Sequence, residues 1–92
     1  MRADIERREV TFVGRVQGVG FRATTRTIAQ GFEVSGWVRN EPDGSVRMEA
    51  QGAGAELDLF VQAIQARVGH LIARVTTHAL PTRDETGFAI RH

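Results

Sequence analysis

The sequence has no cysteine, no lysine and no tyrosine, and only two prolines in 92 residues. Without cysteine there is no disulfide, no thiolate metal site and no cysteine nucleophile, and the redox compartment stays open. Without lysine, all 12 basic residues are arginine, a bias that a GC-rich genome accounts for. They are spread along the chain and the net charge is only +1. With neither a basic tail nor a clustered run, nucleic acid is not an expected partner. No apolar run approaches the ~18–20 residues of a membrane span, and the charged residues 1–8 do not read as a secretory signal. No membrane partner is expected, and the expected location is cytoplasmic.

What is present is the balance of a folded globular chain, with 41% hydrophobic and 25% charged residues. One domain over residues 1–92 is expected, with residues 1–8 as a frayed lead-in and a radius of gyration of about 12 Å. A chain this short buries roughly 60–65% of its unfolded surface, so the core is expected to be single and small.

Apolar periodicity orders the elements. Glu9–Val16 alternates as a strand, with Val10, Phe12, Gly14 and Val16 on one side. Phe21, Thr25, Ile28, Ala29 and Phe32 recur at helical spacing, which predicts a helix over residues 21–30 with Gly31 as a left-handed C-terminal cap. Residues 34–40 and 45–51 alternate on either side of Glu41-Pro42-Asp43-Gly44, a turn with proline to fix φ, aspartate to bond the backbone and glycine to permit positive φ. Gly52–Gly54 reads as a small-residue hinge. Leu57, Phe60, Val61, Ile64 and Val68 then mark a second helix over residues 55–68. Residues 73–79 and 87–91 read as further strands around a polar turn. The order is β-α-β-β-α-β with a split or extra last strand. It predicts an α+β ferredoxin-like sandwich, an antiparallel sheet covered on one face by two helices.

One stretch carries chemistry. Gly14-Arg15-Val16-Gln17-Gly18-Val19-Gly20-Phe21-Arg22 runs from a strand through two glycines into a helix start. Amides of such a loop, with the first amides of a helix, suit a phosphate-sized anion. Arg22 adds a planar fork of donors with a permanent charge. The same glycines also suit an ordinary tight turn.

Topology supplies a partner. A right-handed strand–helix–strand crossover leaves its two strands parallel. The loop after the first strand and the end of the second, Asn40, then lie at one end of the sheet. With one strand between them, the two ends are about 10 Å apart. Asn40 stands directly before a turn, where asparagine commonly bonds local backbone. Opposite an anion loop, its neutral amide also suits orienting a water without repelling an anion. His70, His78 and His92 match no metal spacing, Glu41 and Glu49 read as solvated, and Trp37 reads as packing. No serine or threonine has a plausible adjacent base.

Residues 14–22 resemble the first signature of the acylphosphatases. Gly36-Trp37-Val38-Arg39-Asn40, followed by Asp43-Gly44-Ser45-Val46 and Gly52, resembles their second, and Gly87-Phe88-Ala89-Ile90-Arg91 is similar to their last strand. The resemblance implies an enzyme hydrolysing acyl phosphates to a carboxylate and inorganic phosphate, without metal, cofactor or covalent intermediate. It implies that Arg22 and the amides of Gln17, Gly18, Val19, Gly20 and Phe21 bind the phosphoryl group. It further implies that Asn40 orients the attacking water. The partners it implies are a small acyl phosphate and inorganic phosphate, as product or competitive ligand, and a monomer is expected. Departures are modest: Ala23-Thr24, Gly31-Phe32-Glu33-Val34, and His92 in place of a frequent tyrosine. Two other readings compete. One is a non-catalytic anion-binding module, since similar domains open the carbamoyltransferases that mature hydrogenases. The other is an RNA-binding domain, which wants aromatic residues displayed on a basic sheet face.

Overall fold

A computed structural model describes residues 4–92. Its first element is β1 (Ile5–Gly14), which begins well before the expected Glu9. Residues 5–8 are therefore strand, not a frayed lead-in; residues 1–3 of that lead-in lie outside the described residues. The reason is charge pairing that periodicity does not register. Arg7 lies between Gln51 and Leu80 of the neighbouring strands. It is only 2% exposed, with its guanidinium 2.9 Å from Glu49 and 2.8 Å from Glu85.

The chain continues through α1 (Phe21–Ala29), β2 (Ser35–Asn40), β3 (Val46–Ala53), α2 (Gly54–Val68), a 3₁₀ turn at Gly69–Leu71, β4 (Ile72–Leu80) and β5 (Phe88–Arg91). The α1 stripe buries Phe21, Thr25 and Ala29, and the α2 stripe buries Leu57, Phe60 and Ile64, as helical spacing requires. Gly31 is not among the glycines with positive φ, contrary to the expected left-handed cap. The chain leaves α1 instead through tightened bonds, Gly31 N to Ile28 O at 3.0 Å and Phe32 N to Ala29 O at 3.1 Å, which satisfy the last carbonyls. Nor is there a hinge at residues 52–54, because β3 runs to Ala53 and α2 starts at Gly54.

The sheet order is β4-β1-β3-β2-β5. β1 and β2 both run antiparallel to β3 and hence parallel to each other, while β5 pairs parallel with β2. The sheet is thus mixed, where a wholly antiparallel one was expected. The cause is the route taken by residues 81–87. β4 finishes at the end of the sheet where β2 begins, so a strand starting there runs with β2. Four strand spacings, about 19 Å, separate the two outer strands, and seven extended residues reach about 23 Å. The crossing is pinned midway: Gln51 Nε2 donates to Arg83 O at 2.7 Å, and Arg83 N donates back to Gln51 Oε1 at 3.0 Å.

Val10, Phe12, Val38, Val46 and Met48 of the sheet meet Phe21, Phe60 and Ile64 of the helices in one cluster, within a radius of gyration of 12.3 Å. The face without helices is a charge lattice. Glu9 and Glu49 are directly opposite, a repulsive pairing. Arg47 bridges them at 2.7 and 3.3 Å. Glu41, expected to be solvated like Glu49, pairs with Arg39 at 3.0 Å. Trp37 is 3% exposed because the guanidiniums of Arg91, Arg39 and Arg47 stand 4.7, 5.0 and 5.6 Å from its ring centre. It packs under cations and does not display a free aromatic face of the kind RNA stacking needs.

The Arg7–Glu49 pair yields a stability prediction. Breaking a buried ion pair costs about 3–5 kcal/mol when the surviving charge is left alone. Arg7 keeps Glu85, so Glu49→Ala is expected to lower the unfolding free energy by about 2–3 kcal/mol. Urea unfolding measures it; a loss below about 0.5 kcal/mol would place the pair among inert surface contacts.

Candidate active site

At the end of the sheet where β1 leads into α1, the chain needs backbone shapes that side chains resist. Gly18 and Gly20 adopt φ of 75° and 77°, the left-handed region where glycine carries no Cβ penalty. Gly20 is also the N-cap of α1 and supplies no side-chain cap. Arg15 N donates to Leu71 O and Thr24 N to Gly20 O. Between them, among the described residues, the amides of residues 17–22 donate to no backbone carbonyl. Unclaimed amides running into a helix start suit an anion.

The loop is tied to the hairpin that carries Asn40. Gln17 Nε2 donates to Glu41 O at 2.8 Å and to Ser45 O at 2.9 Å, fixing the loop against the β2–β3 turn. That turn is itself held by Asp43, whose carboxylate accepts from the Ser45 hydroxyl at 2.6 Å and from its amide at 2.9 Å. The Ser45 hydroxyl and then its amide hold the Asp43 carboxyl below its ordinary pKa.

A cleft of about 560 Å³ opens here, and Gly18, Gly20, Phe21, Arg22 and Asn40 line it together. Asn40 is opposite Val46 in the ladder, on the same face as buried Val38, so it looks in beneath α1. Its Oδ1 is shielded from solvent without any hydrogen-bond donor, a cost of about 1–3 kcal/mol for a buried acceptor. Of the other expected loop residues, Gln17 spends its side chain on the turn. Val19 turns outward, 51% exposed. Neither lines the cleft, which leaves their amides as their only contribution.

Arg22 is held from an unexpected quarter. Its Nη1 donates to Arg91 O at 3.1 Å and lies 3.3 Å from His92 Nδ1, leaving Nε and Nη2 unclaimed. The parallel docking of β5 beside β2 brings Arg91 opposite Arg39 and so carries His92 to the cleft. The only sequence signal for this is the apolar Phe88-Ala89-Ile90 of the last strand itself, which does not say which sheet edge the strand joins. Among the described residues, no group of three or more His, Cys, Asp or Glu side chains forms that could hold a metal ion.

The comparisons with known proteins bear on this geometry. The acylphosphatase family model matches residues 8–90. The chain is 46% identical over 82 residues to an acylphosphatase of Salinibacter ruber, covering 85% of this chain and 84% of that one. To an acylphosphatase of Bifidobacterium longum it is 43% identical over 89 residues, covering 95% and 91%. Among solved structures, an acylphosphatase from Coxiella burnetii superposes with a TM-score of 0.84 at 25% identity, over 96% of this chain and 94% of its own. Family model, relatives and fold agree: the chain belongs to the acylphosphatase family.

Proposed function

We propose that Arg22, the amides of residues 17–22 and Asn40 carry out acyl phosphate hydrolysis in the cleft between α1 and the end of β2. The observation that carries this reading is the buried, undonated Oδ1 of Asn40 in one cleft with Arg22 and the glycine loop.

The chemistry asks little of a base. The carboxylate of an acyl phosphate leaves readily, so the transition state is loose, and catalysis is positioning plus stabilisation of charge on the equatorial oxygens. Arg22 and the loop amides hold those oxygens. Asn40 Oδ1 accepts a hydrogen bond from the water and sets it in line with the leaving oxygen. The water oxygen bonds to phosphorus as the phosphorus–acyl oxygen bond breaks. The electron pair leaves with the carboxylate, and a phosphoryl oxygen takes the water's proton.

The reading extends to a monomer acting in the cytoplasm. Every residue invoked comes from one chain, and a charged anhydride of this kind does not cross membranes unaided.

The test is phosphate release from acetyl phosphate and benzoyl phosphate. The wild type is expected to turn over both, with inorganic phosphate as a competitive inhibitor. Binding of phosphate without turnover of either compound would leave a non-catalytic anion-binding module as the better description.

A further inference from the structure

The cleft is larger than a phosphoryl group requires. With its bridging oxygen that group has five heavy atoms, which at about 30 Å³ each fill roughly 150 Å³ of the 560 Å³ present. The remainder extends along α1 toward Ala23 and Arg26 and along β5 past Phe88 and Ile90. Its charged side chains are of one sign. Among the described residues, Arg22 and Arg26 line it and no Asp or Glu side chain does, although the whole chain is nearly balanced at +1.

Arg26 has no role in the reading above. It stands four residues after Arg22, on the same side of the helix and about 6 Å along the axis. It is exposed, and no acidic residue stands three or four positions from it on α1. Four arginines on the sheet are neutralised: Arg7 meets Glu49, Arg8 meets Asp58 at 2.6 Å, Arg39 meets Glu41, and Arg47 meets Glu9. Arg26 makes no ion pair among the described residues, so its charge is free to act on whatever occupies the cleft.

We propose that Arg26 is a specificity-determining residue that favours acyl phosphates whose acyl portion carries a second negative charge. The proposal rests on the acyl phosphate reading of the site and concerns the other end of the same substrate. The phosphoryl group sits on the loop and Arg22, and the acyl chain runs along α1. A carboxylate several bonds from the anhydride then meets Arg26, whose fork suits it. A neutral acyl group of equal size gains nothing there.

The experiment compares 3-carboxybenzoyl phosphate with 3-carbamoylbenzoyl phosphate, which match in shape and differ in charge. The readout is the ratio of their kcat/KM values in wild type, Arg26→Gln, Arg26→Lys and Arg26→Glu. A partly exposed charge pair is worth up to about 1 kcal/mol, or about fivefold. The ratio is therefore expected to fall about fivefold in Arg26→Gln, to fall further in Arg26→Glu and to stay near wild type in Arg26→Lys. The wild-type preference should shrink as salt is raised, since screening sets in over about 8 Å at physiological ionic strength. If Arg26 merely raises the potential of the cleft for every phosphate, both substrates slow equally. A ratio unchanged in Arg26→Gln, in protein that still turns over the carbamoyl compound, overturns this proposal and leaves the hydrolase reading intact. Wild type inactive on both compounds sinks both.

Discussion

Arg22→Ala is expected to lower kcat/KM for acetyl phosphate about a thousandfold, some 4 kcal/mol of transition-state stabilisation. The size follows from what the side chain does and how it is held. Charge builds on the equatorial phosphoryl oxygens as the acyl oxygen leaves, and a fixed fork of donors meets it without reorganising. Nη1 is already spent on Arg91 O and beside His92, so the guanidinium is aimed before substrate arrives. If Arg22 grips the phosphoryl group before and during reaction, as proposed, the loss divides between a higher KM and a lower kcat. The inhibition constant of inorganic phosphate should rise with the KM. Arg22→Lys keeps the charge but not the planar fork and is expected to recover only a small part of the activity. Stability is a separate readout. Alanine removes a single exposed hydrogen bond to the β5 end, worth about 1 kcal/mol at most, so the urea midpoint should move little. Steady-state kinetics with acetyl phosphate decide the matter: an Arg22→Ala enzyme within tenfold of wild type would show that the loop amides alone bind the anion.

The meeting of Arg22 with Asn40 was legible in the sequence because handedness is a general rule. Two strands joined by a helix must run parallel, and Gly18, Gly20 and the turn at residues 41–44 mark where each strand stops. The core was legible for a similar reason, since Phe12, Met48, Phe60 and Ile64 recur at the periods of their elements. What was hidden depends on pairings that periodicity does not encode. Arg7 looks like a solvated lead-in until Glu49 and Glu85, both distant in sequence, neutralise it. Residues 81–87 are polar and irregular, and nothing in them says that β5 joins β2 rather than β4. That choice of edge is what delivers Arg91 O and His92 to Arg22, so the support of Arg22 was the least readable part of the site. Gln17 shows the same limit at small scale. Its place in the loop pattern suggested an amide for phosphate, whereas its side chain bolts the loop to the turn.

Asn40→Ala is the complementary change, and it separates the two roles open to an asparagine before a turn. A local backbone role is not what the side chain shows: the turn is closed by Gly44 N to Glu41 O at 3.1 Å and by Asp43 with Ser45. Asn40 Oδ1 takes no donor at all. Alanine therefore removes an unsatisfied buried acceptor, and the expected change in unfolding free energy is within about 1 kcal/mol. The kinetic cost is expected to be much larger. A nucleophile misplaced by about 1 Å loses about a hundredfold, and without Oδ1 nothing holds the water in line, so kcat should fall by about that factor or more. KM should stay within a few-fold, because Arg22 and the loop amides still hold the phosphoryl group. Asn40→Asp offers a contrasting outcome. Its carboxylate can still accept from water, but it sets a negative charge facing an anionic substrate, so KM should rise as well. Measuring kcat, KM and the urea midpoint for both variants tests the assignment. If Asn40→Ala is strongly destabilised but keeps wild-type kcat, Asn40 belongs to the turn, and the water must be held by another group in the cleft.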